Sequence, residues 1–275
     1  MSDKECPSSD SPPAPADVEQ LEEALSRPTD DDIRVMSQLQ GDLIILGAAG
    51  KMGPTLARLA KRAIEASAAP YRVVGVSRFS DPTVRQRLES WGVETIQCDL
   101  MDPAALERLP DAANVMYMLG IKFGASRAAT TTWAVNCYAP ALVARRYPTS
   151  RIAAFSSGNV YPFVPVDSLG SCENDPTEPV GEYAMSVLGR ERMFEYFSQS
   201  QQTPVALLRL NYATELRYGV LVDLARKIYR EQPVDVTMGY VNVIWQRDAN
   251  AMALAAMAHA DSPARVINIA GEPVL

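Results

Sequence analysis

Histidine and cysteine, which supply the ligands of many metal sites, are scarce in this sequence. There are one histidine and four cysteines in 275 residues. Cys6, Cys98, Cys137 and Cys172 are widely spaced and form no Cys-x-x-Cys pair, so the sequence indicates neither a zinc site nor a disulfide framework. His259 lies in an alanine-rich stretch near the end, where a helix end is the expected position. We therefore expect no metal site built on histidine ligands. The cysteine pattern also indicates that the protein resides in a reducing compartment.

Long apolar runs and basic clusters are missing as well. No stretch is apolar over the length needed to cross a bilayer, and the N-terminal stretch lacks the apolar core of a signal peptide. The formal net charge is −7, and no run of Lys and Arg is long enough to indicate a nucleic-acid or membrane partner. We expect a cytoplasmic protein. Its 47% hydrophobic content suffices for one large core, or for one core with a small lobe.

The sequence does contain a short apolar run that leads into a glycine-rich turn. Residues 43–46 are all apolar, as in a strand buried on both faces, and apolar residues at helical spacing follow in 56–64. The turn between them, GAAGKMG, has the spacing Gly-x-x-Gly-x-x-Gly. Gly47 allows a sharp turn, Gly50 lets the backbone approach a pyrophosphate, and Gly53 lets helix and strand pack closely. The stretch predicts dinucleotide binding at a helix start, and a plain tight turn is the alternative.

From residue 43 onwards, strand patterns alternate with helix patterns. The predicted strands are 43–46, 71–76, 93–97, 115–119, 152–155 and 205–210, and the longer predicted helices are 81–90, 130–147 and 182–198. This alternation is typical of an α/β fold with a doubly wound parallel sheet, a Rossmann fold. The predicted parts are a disordered tail (1–17), a helical extension (18–41), the dinucleotide-binding domain (42–210) and substrate-lobe segments interleaved with the last Rossmann elements (211–275). The extension either packs on the domain or binds a partner.

Short motifs follow the glycine turn in a fixed order. They are Cys98-Asp99-Leu100, Val135-Asn136-Cys137, the segment FSSGNVY at 155–161, Tyr183, Arg209-Leu210-Asn211, WQRDA at 245–249 and VINIAG at 266–271. In order and spacing, these motifs and the turn resemble the extended short-chain dehydrogenase/reductase family, the nucleotide-sugar epimerases and dehydratases. The resemblance extends over about residues 42–274.

The resemblance implies a set of catalytic residues and a set of cofactor-binding residues. Tyr183 would give or take the proton, Ser157 would steady a carbonyl oxygen, and Asn136 would support a water or backbone link. The implied cofactor set is Gly47, Ala49, Gly50, Lys51, Met52, Gly53, Ser77, Arg78, Asp99, Leu100, Leu119, Gly120 and Asn211, with no metal ligand. The implied substrate is a sugar-like or other small molecule with a hydroxyl or carbonyl group. The formation of a homodimer is possible on this resemblance and is left open.

Each of these residues also has a purely structural interpretation. Ser157 could cap a turn, and Tyr183 could be a helix tyrosine whose hydroxyl is satisfied locally. Asp99 could belong to a helix start, and Asn136 could be an ordinary polar helix residue. These alternatives stay open at the level of the sequence.

One position departs from the family pattern. The family has Tyr-x-x-x-Lys, whereas Val187 stands four residues after Tyr183. On a helix this position lies beside the tyrosine, where the lysine lowers the tyrosine pKa and holds the nicotinamide ribose. Without such help a tyrosine has a pKa of about 10. Arg190 lies one turn further on the same face and could substitute for the lysine in part, although we expect it to be too far from the ribose to act in the same way. The substitution therefore weakens the case for hydride transfer, but not for cofactor binding, and a non-catalytic NAD(P)-binding sensor or assembly subunit is the alternative function.

The end of the second strand bears on the choice of cofactor. NAD-preferring members of the family carry an acid there, whereas this chain has Ser77 and Arg78. An acid would repel a 2′-phosphate, and serine and arginine would bind it. We therefore expect NADP, with NAD as the alternative.

The family usually continues beyond the point where this chain stops, at Leu275. Either the C-terminal substrate lobe is small and reduced, or the sequence is cut short.

Overall fold

The computed structural model describes residues 14–122, 124, 126–165, 167–168, 170–271 and 273–274. The strands are β1 (Leu43–Leu46), β2 (Val73–Ser77), β3 (Glu94–Gln97), β4 (Asn114–Tyr117), β5 (Arg151–Ser157), β6 (Val205–Leu210), β7 (Tyr212–Thr214), β8 (Val241–Trp245), β9 (Arg265–Ile269) and β10 (Pro273–Val274). The helices are α1 (Val18–Ser26), α2 (Asp30–Gln38), α3 (Gly53–Ala66), α4 (Pro82–Ser90), α5 (Pro103–Glu107), α6 (Ala129–Trp133), α7 (Ala139–Arg146), α8 (Gly181–Gln201), α9 (Val220–Tyr229) and α10 (Gln246–Ala256). Most of the predicted tail, 1–17, lies outside the described residues.

Seven strands form one parallel sheet in the order β3-β2-β1-β4-β5-β6-β9. The chain runs outwards from β1 to β3, then returns to the other side of β1 with β4. The order therefore reverses between β1 and β4, and ligands of such sheets bind at this point, at the carboxyl ends of the strands. The prediction of a doubly wound parallel sheet is confirmed.

The four apolar residues of β1 are all buried because helices cover both faces of the sheet. Leu43 and Ile45 belong to the core on one face, and Ile44 and Leu46 belong to the core on the other. Successive side chains of a strand point to opposite faces, so an uninterrupted apolar run is what a central strand of such a sheet requires.

The helices α1 and α2 pack against α3 and α10. Asp17 and Thr29 cap these helices, since each side chain accepts a hydrogen bond from a backbone N–H of the first turn. Met36 and Leu39 of this extension join the core on the α3 face of the sheet. The carboxylate of Glu22 is almost buried and pairs with Arg87 and Arg217. The extension is thus attached both to α4 and to the segment that precedes α9.

The predicted helix 130–147 is interrupted by a π-helical turn. α6 continues into this turn at Ala134–Tyr138, and α7 follows directly. A π turn inserts one extra residue, which rotates all later side chains around the helix, and such turns are frequent at functional sites. Asn136 lies within it and is fully buried.

A second, small sheet has the order β10-β8-β7. It follows β6 together with α9, a helix that has no buried residue. Within the described part of the chain, no helix has the length and apolar character needed to cross a membrane.

Candidate dinucleotide site and active site

The three glycines of the turn after β1 differ in what a side chain would meet at their position. Gly47 has φ +95°, and a Cβ there would lie 2.8 Å from the backbone nitrogen of Leu119. A Cβ at Gly53 would lie 2.3 Å from the carbonyl oxygen of Ala48, so glycine is needed for α3 to pack on β1. At Gly50 the nearest atom would be the Gly47 oxygen at 3.3 Å, and this residue lines the cleft. α3 has no side-chain cap, which leaves its first N–H groups for an anion.

A large cavity of about 810 Å³ extends from this turn along the carboxyl ends of the strands. From the predicted cofactor set it is lined by Gly47, Ala49, Gly50, Ser77, Arg78, Asp99, Leu100, Leu119 and Gly120. Lys51, Met52 and Gly53 line a smaller adjoining cavity of about 210 Å³. Asn211 lines neither, and lies instead beside Gly158, where a Cβ would be 2.3 Å from its Oδ1. The structure thus gathers all of the predicted cofactor residues except Asn211 in one cleft, and their binding role stays a prediction.

Two charged residues at the outer end of the large cavity, Arg78 and Asp81, differ in whether their side chains have hydrogen-bond partners. Arg78 is exposed, and its guanidinium has no hydrogen-bond or ion-pair partner among the described residues. The carboxylate of Asp81, also in the lining, accepts hydrogen bonds from the Thr83 hydroxyl at 2.7 Å and backbone nitrogen at 2.9 Å. These bonds lower the pKa of Asp81. The cation is therefore available to a ligand, whereas the acid is held at the start of α4.

The structure is compatible with both interpretations of Asp99, a cofactor-binding residue and a residue of the turn before a helix. Its side chain lines the cavity, and its Oδ1 accepts a hydrogen bond from the backbone nitrogen of Met101 at 3.0 Å. It therefore contributes to the chain turn that precedes α5, whether or not it contacts a ligand.

Tyr183 lies in the smaller cavity, together with Gly47 and Gly50 of the glycine turn. Its hydroxyl has no hydrogen-bond partner within the described residues. The ammonium of Lys122 lies 5.6 Å from the centre of the Tyr183 ring and 4.9 Å from that of Tyr212. Desolvation in the cleft, and then the charge of Lys51, lower the pKa of Lys122. The tyrosine is thus accessible from the cavity and has a positive charge beside it.

Ser157 and Asn136 do not line either cavity. The Ser157 hydroxyl accepts a bond from the Asn159 backbone nitrogen at 3.2 Å and donates to Asn159 Oδ1 at 3.1 Å, so it caps the short 3-10 turn that follows β5. Asn136 Oδ1 accepts from the backbone nitrogen of Ile121 at 2.9 Å, and its Nδ2 donates to the Ile121 oxygen at 3.0 Å. Asn136 therefore forms the backbone link to the segment after β4. A direct role of either residue towards a substrate stays a prediction.

Val187 is fully buried and lines neither cavity, whereas Arg190 lines the smaller one. Helical spacing predicts that Arg190 is too far from the ribose to act in the same way as the family lysine. The structure brings it to the wall that Tyr183 shares, against the glycine at position 120.

Behind this wall lies a buried ionic network whose central carboxylate, that of Glu191, belongs to none of the motifs. The carboxylate of Glu191 accepts hydrogen bonds from the Ser156 hydroxyl and from Arg209. Arg209 also donates to the Tyr161 hydroxyl at 2.8 Å, which in turn donates to Asn268 at 2.8 Å. Ser156 lines the smaller cavity. The network therefore ties the cavity wall to α8, β6 and β9.

The predicted set of site residues also lacks five other residues that line the smaller cavity: Met118, Ile121, Lys122, Phe155 and Leu210. For Lys122 a signal was present, since it follows Leu119 and Gly120 at the end of β4, the strand next to the point where the order reverses. No cluster of metal-ligating side chains occurs in the part of the chain that the structure describes.

A doubly wound parallel sheet with a glycine turn and a large cleft at its switch point defines a fold of the Rossmann class, in which dinucleotides bind at this point. The model of the NAD-dependent epimerase/dehydratase family matches residues 43–270. The chain belongs to this family. None of the curated proteins matches the sequence.

Solved structures of this family have the same fold at low sequence identity. UDP-glucose 4-epimerase from Thermotoga maritima, with UDP-glucose, is 17% identical at a TM-score of 0.70, and the match covers 85% of this chain and 78% of that one. dTDP-glucose 4,6-dehydratase from Streptomyces venezuelae, with NAD bound, is 15% identical at a TM-score of 0.71, and the match covers 85% of this chain and 77% of that one. UDP-N-acetylglucosamine 4-epimerase from Methanobrevibacter ruminantium, in complex with UDP-N-acetylmuramic acid, is 20% identical at a TM-score of 0.69, and the match covers 86% of this chain and 78% of that one. At these identities the likeness concerns the fold.

Proposed function

We propose that the protein binds NADP, or NAD in its place, and carries out oxidation–reduction at a hydroxyl or carbonyl carbon of a sugar-like molecule. Tyr183 is the acid/base of this reaction. The observation that carries the proposal is that Tyr183 and the three glycines of the dinucleotide turn, Gly47, Gly50 and Gly53, line one cavity. A substrate in that cavity would lie between the tyrosine and the cofactor.

Three features of the cleft fit a dinucleotide. The cavity beyond the turn is large, at about 810 Å³. Gly50 lines it without a side chain, and the Arg78 guanidinium at its far end has no partner among the described residues. The cofactor, when bound, supplies the hydride acceptor or donor. Ser77 and Arg78 would bind a 2′-phosphate, which is why we favour NADP.

The proton is handled by Tyr183. A neutral tyrosine hydroxyl can donate its proton to a substrate oxygen, so reduction is the easier direction. In oxidation the tyrosine accepts a proton from the substrate hydroxyl instead, and the Lys122 ammonium lies 5.6 Å from the centre of its ring. Phe155 and Ser156 line the cavity on the side of β5.

Two considerations favour nucleotide sugars as substrates. The structural neighbours include epimerases and a dehydratase solved with UDP-glucose, UDP-N-acetylmuramic acid or NAD. Lys51 and Lys122 also line the smaller cavity, and their charge suits an anionic substrate.

The test is turnover with a panel of UDP- and dTDP-sugars, aldehydes and ketones, in the presence of NADP(H) or NAD(H). Reduced nicotinamide is followed by absorbance and the sugars by NMR, because an epimerisation gives no net redox change. Tyr183→Phe should lower turnover by about 100-fold or more while dinucleotide affinity is unchanged. Tyr138→Phe is the matched control, since Tyr138 is 52% exposed and lines neither cavity. Equal activity of the Tyr183 variant and the parent would refute the assignment of the acid/base.

Two observations favour a second candidate, a dinucleotide-binding sensor or assembly subunit without turnover. Val187 stands where the family has lysine, and the Ser157 hydroxyl is engaged as a turn cap. In this case the protein binds the dinucleotide but converts no member of the panel. A homodimer stays a prediction under either function, and molar mass by light scattering tests it.

A further inference from the structure

Arg190 carries a positive charge that is buried without a negative partner. Its side chain is 5% exposed. The Nη1 group donates to the carbonyl oxygen of Phe155 at 2.7 Å, and Nη2 donates to Oδ1 of Asn136 at 2.9 Å. Within the described residues no carboxylate pairs with this guanidinium, and its chain neighbour Glu191 is taken by Arg209. Burial of a charge is costly without a counter-charge, and neutral oxygen acceptors offset only part of this cost.

The third nitrogen of the same guanidinium has no acceptor. Nε of Arg190 is buried and has no hydrogen-bond partner. Buried donors are nearly always satisfied in folded proteins, and the exceptions call for an explanation. The arginine lines the smaller cavity beside Tyr183, and each of its two Nη groups keeps a second N–H that a ligand in that cavity can accept.

The backbone at the end of β4 is shaped to admit this side chain. A Cβ at Gly120 would lie 2.5 Å from Arg190 Nη2 and 3.3 Å from Asn136 Oδ1. Any larger residue at position 120 would therefore displace the guanidinium. Gly120 lines both cavities. The charge of Arg190 thus lies at the junction between the large cavity and the cavity of Tyr183.

We propose that Arg190 is the cofactor-binding cation of this site and that it donates to the hydroxyls of the ribose on the nicotinamide side of a bound dinucleotide. The inference rests on the proposed function, because it requires that the cleft binds a dinucleotide. The family lysine at position 187 would approach this ribose from one helical turn earlier. In this chain the buried Val187 leaves the position empty of charge, and Arg190 reaches the cavity beside Gly120.

The test compares ADP with ADP-ribose by isothermal titration. The two ligands share the adenosine and the diphosphate, and only ADP-ribose has the second ribose. Arg190→Met should weaken ADP-ribose binding about tenfold or more and leave ADP binding unchanged, as expected for loss of a charged hydrogen bond to the second ribose. Arg190→Lys should keep part of the affinity. Arg192→Met is the control, because Arg192 is on the same helix but exposed, with Glu195 as its partner.

The ratio of the two affinities separates a ligand contact from a structural role. An equal loss for ADP and ADP-ribose, or no loss for either, would overturn the inference. If Arg190→Met does not fold, as judged by its melting curve, the same ratio measured for Arg190→Lys decides. If the parent protein binds neither ligand, the proposed function fails and this inference fails with it. If the parent binds both and the ratio does not change in the variants, the inference alone fails.

Discussion

The Glu191 carboxylate accepts two hydrogen bonds from the guanidinium of Arg209, one from Nε at 3.0 Å and one from Nη2 at 2.8 Å. Both side chains are almost completely buried, at 0% and 4% exposure. The pair joins α8, which carries Tyr183 and Arg190, to β6. It therefore fixes the helix of the candidate active site relative to the sheet.

Removal of one charge from this pair should be strongly destabilising. Glu191→Gln leaves the buried Arg209 without its counter-charge, and we expect a loss of about 3–5 kcal/mol in the free energy of unfolding. Chemical denaturation measures it. Glu195→Gln, four residues on, breaks a surface pair with Arg192 and should cost about 1 kcal/mol or less. Similar losses in the two variants would show that the buried pair is not important for stability.

The glycines at positions 50 and 53 should respond differently to substitution. Gly50→Val places its side chain in the cleft, so it should remove dinucleotide binding and leave the melting temperature nearly unchanged. Gly53→Ala would bring a Cβ within 2.3 Å of the Ala48 oxygen, so it should destabilise the fold by about 1–3 kcal/mol. Calorimetry on both variants checks this. Normal NADPH binding by Gly50→Val would contradict the placement of the phosphates.

Arg78 should determine the preference between the two nicotinamide dinucleotides. Arg78→Ala removes a cation that has no partner among the described residues, so stability should not change. NADPH affinity should fall about tenfold, because a charged hydrogen bond to the 2′-phosphate is lost, and NADH affinity should stay the same. Fluorescence titration of both dinucleotides measures this. Tighter binding of NADH than of NADPH by the parent would refute the assignment of NADP.

Glu23 should make the attachment of α1 depend on pH. The Arg62 side chain hydrogen-bonds its carboxylate, and this keeps the pKa of Glu23 below its ordinary value of 4.5. The folded state thus gains stability from the ionised carboxylate at pH values above 4.5, and it loses this gain as the pH falls through the lower folded-state pKa. Glu23→Gln should be less stable than the parent at pH 7, and the difference should vanish in acid. The comparison is made by denaturation at a series of pH values. A difference that grows on acidification would contradict this sign.

The alternation of strands and helices and the position of the glycine turn follow from local sequence. The apolar run of β1 requires a strand covered on both faces, and the caps Asp17 and Thr29 mark helix starts wherever the helices come to lie. The positive φ of Gly47 is likewise a local requirement of the turn. For these reasons the doubly wound sheet, the extension helices and most of the cleft lining could be predicted.

Which side chains of α8 and of the segment after β4 reach the smaller cavity was decided only by the tertiary structure. Helical spacing assigned position 187 to the cavity, but Val187 is buried and Arg190 takes that place. The reason is that Arg190 needs space beside Gly120 and an acceptor on Asn136, and both belong to elements distant in the sequence. Side-chain direction on a packed helix depends on such neighbours as well as on periodicity, and periodicity is the only one of the two that the sequence displays.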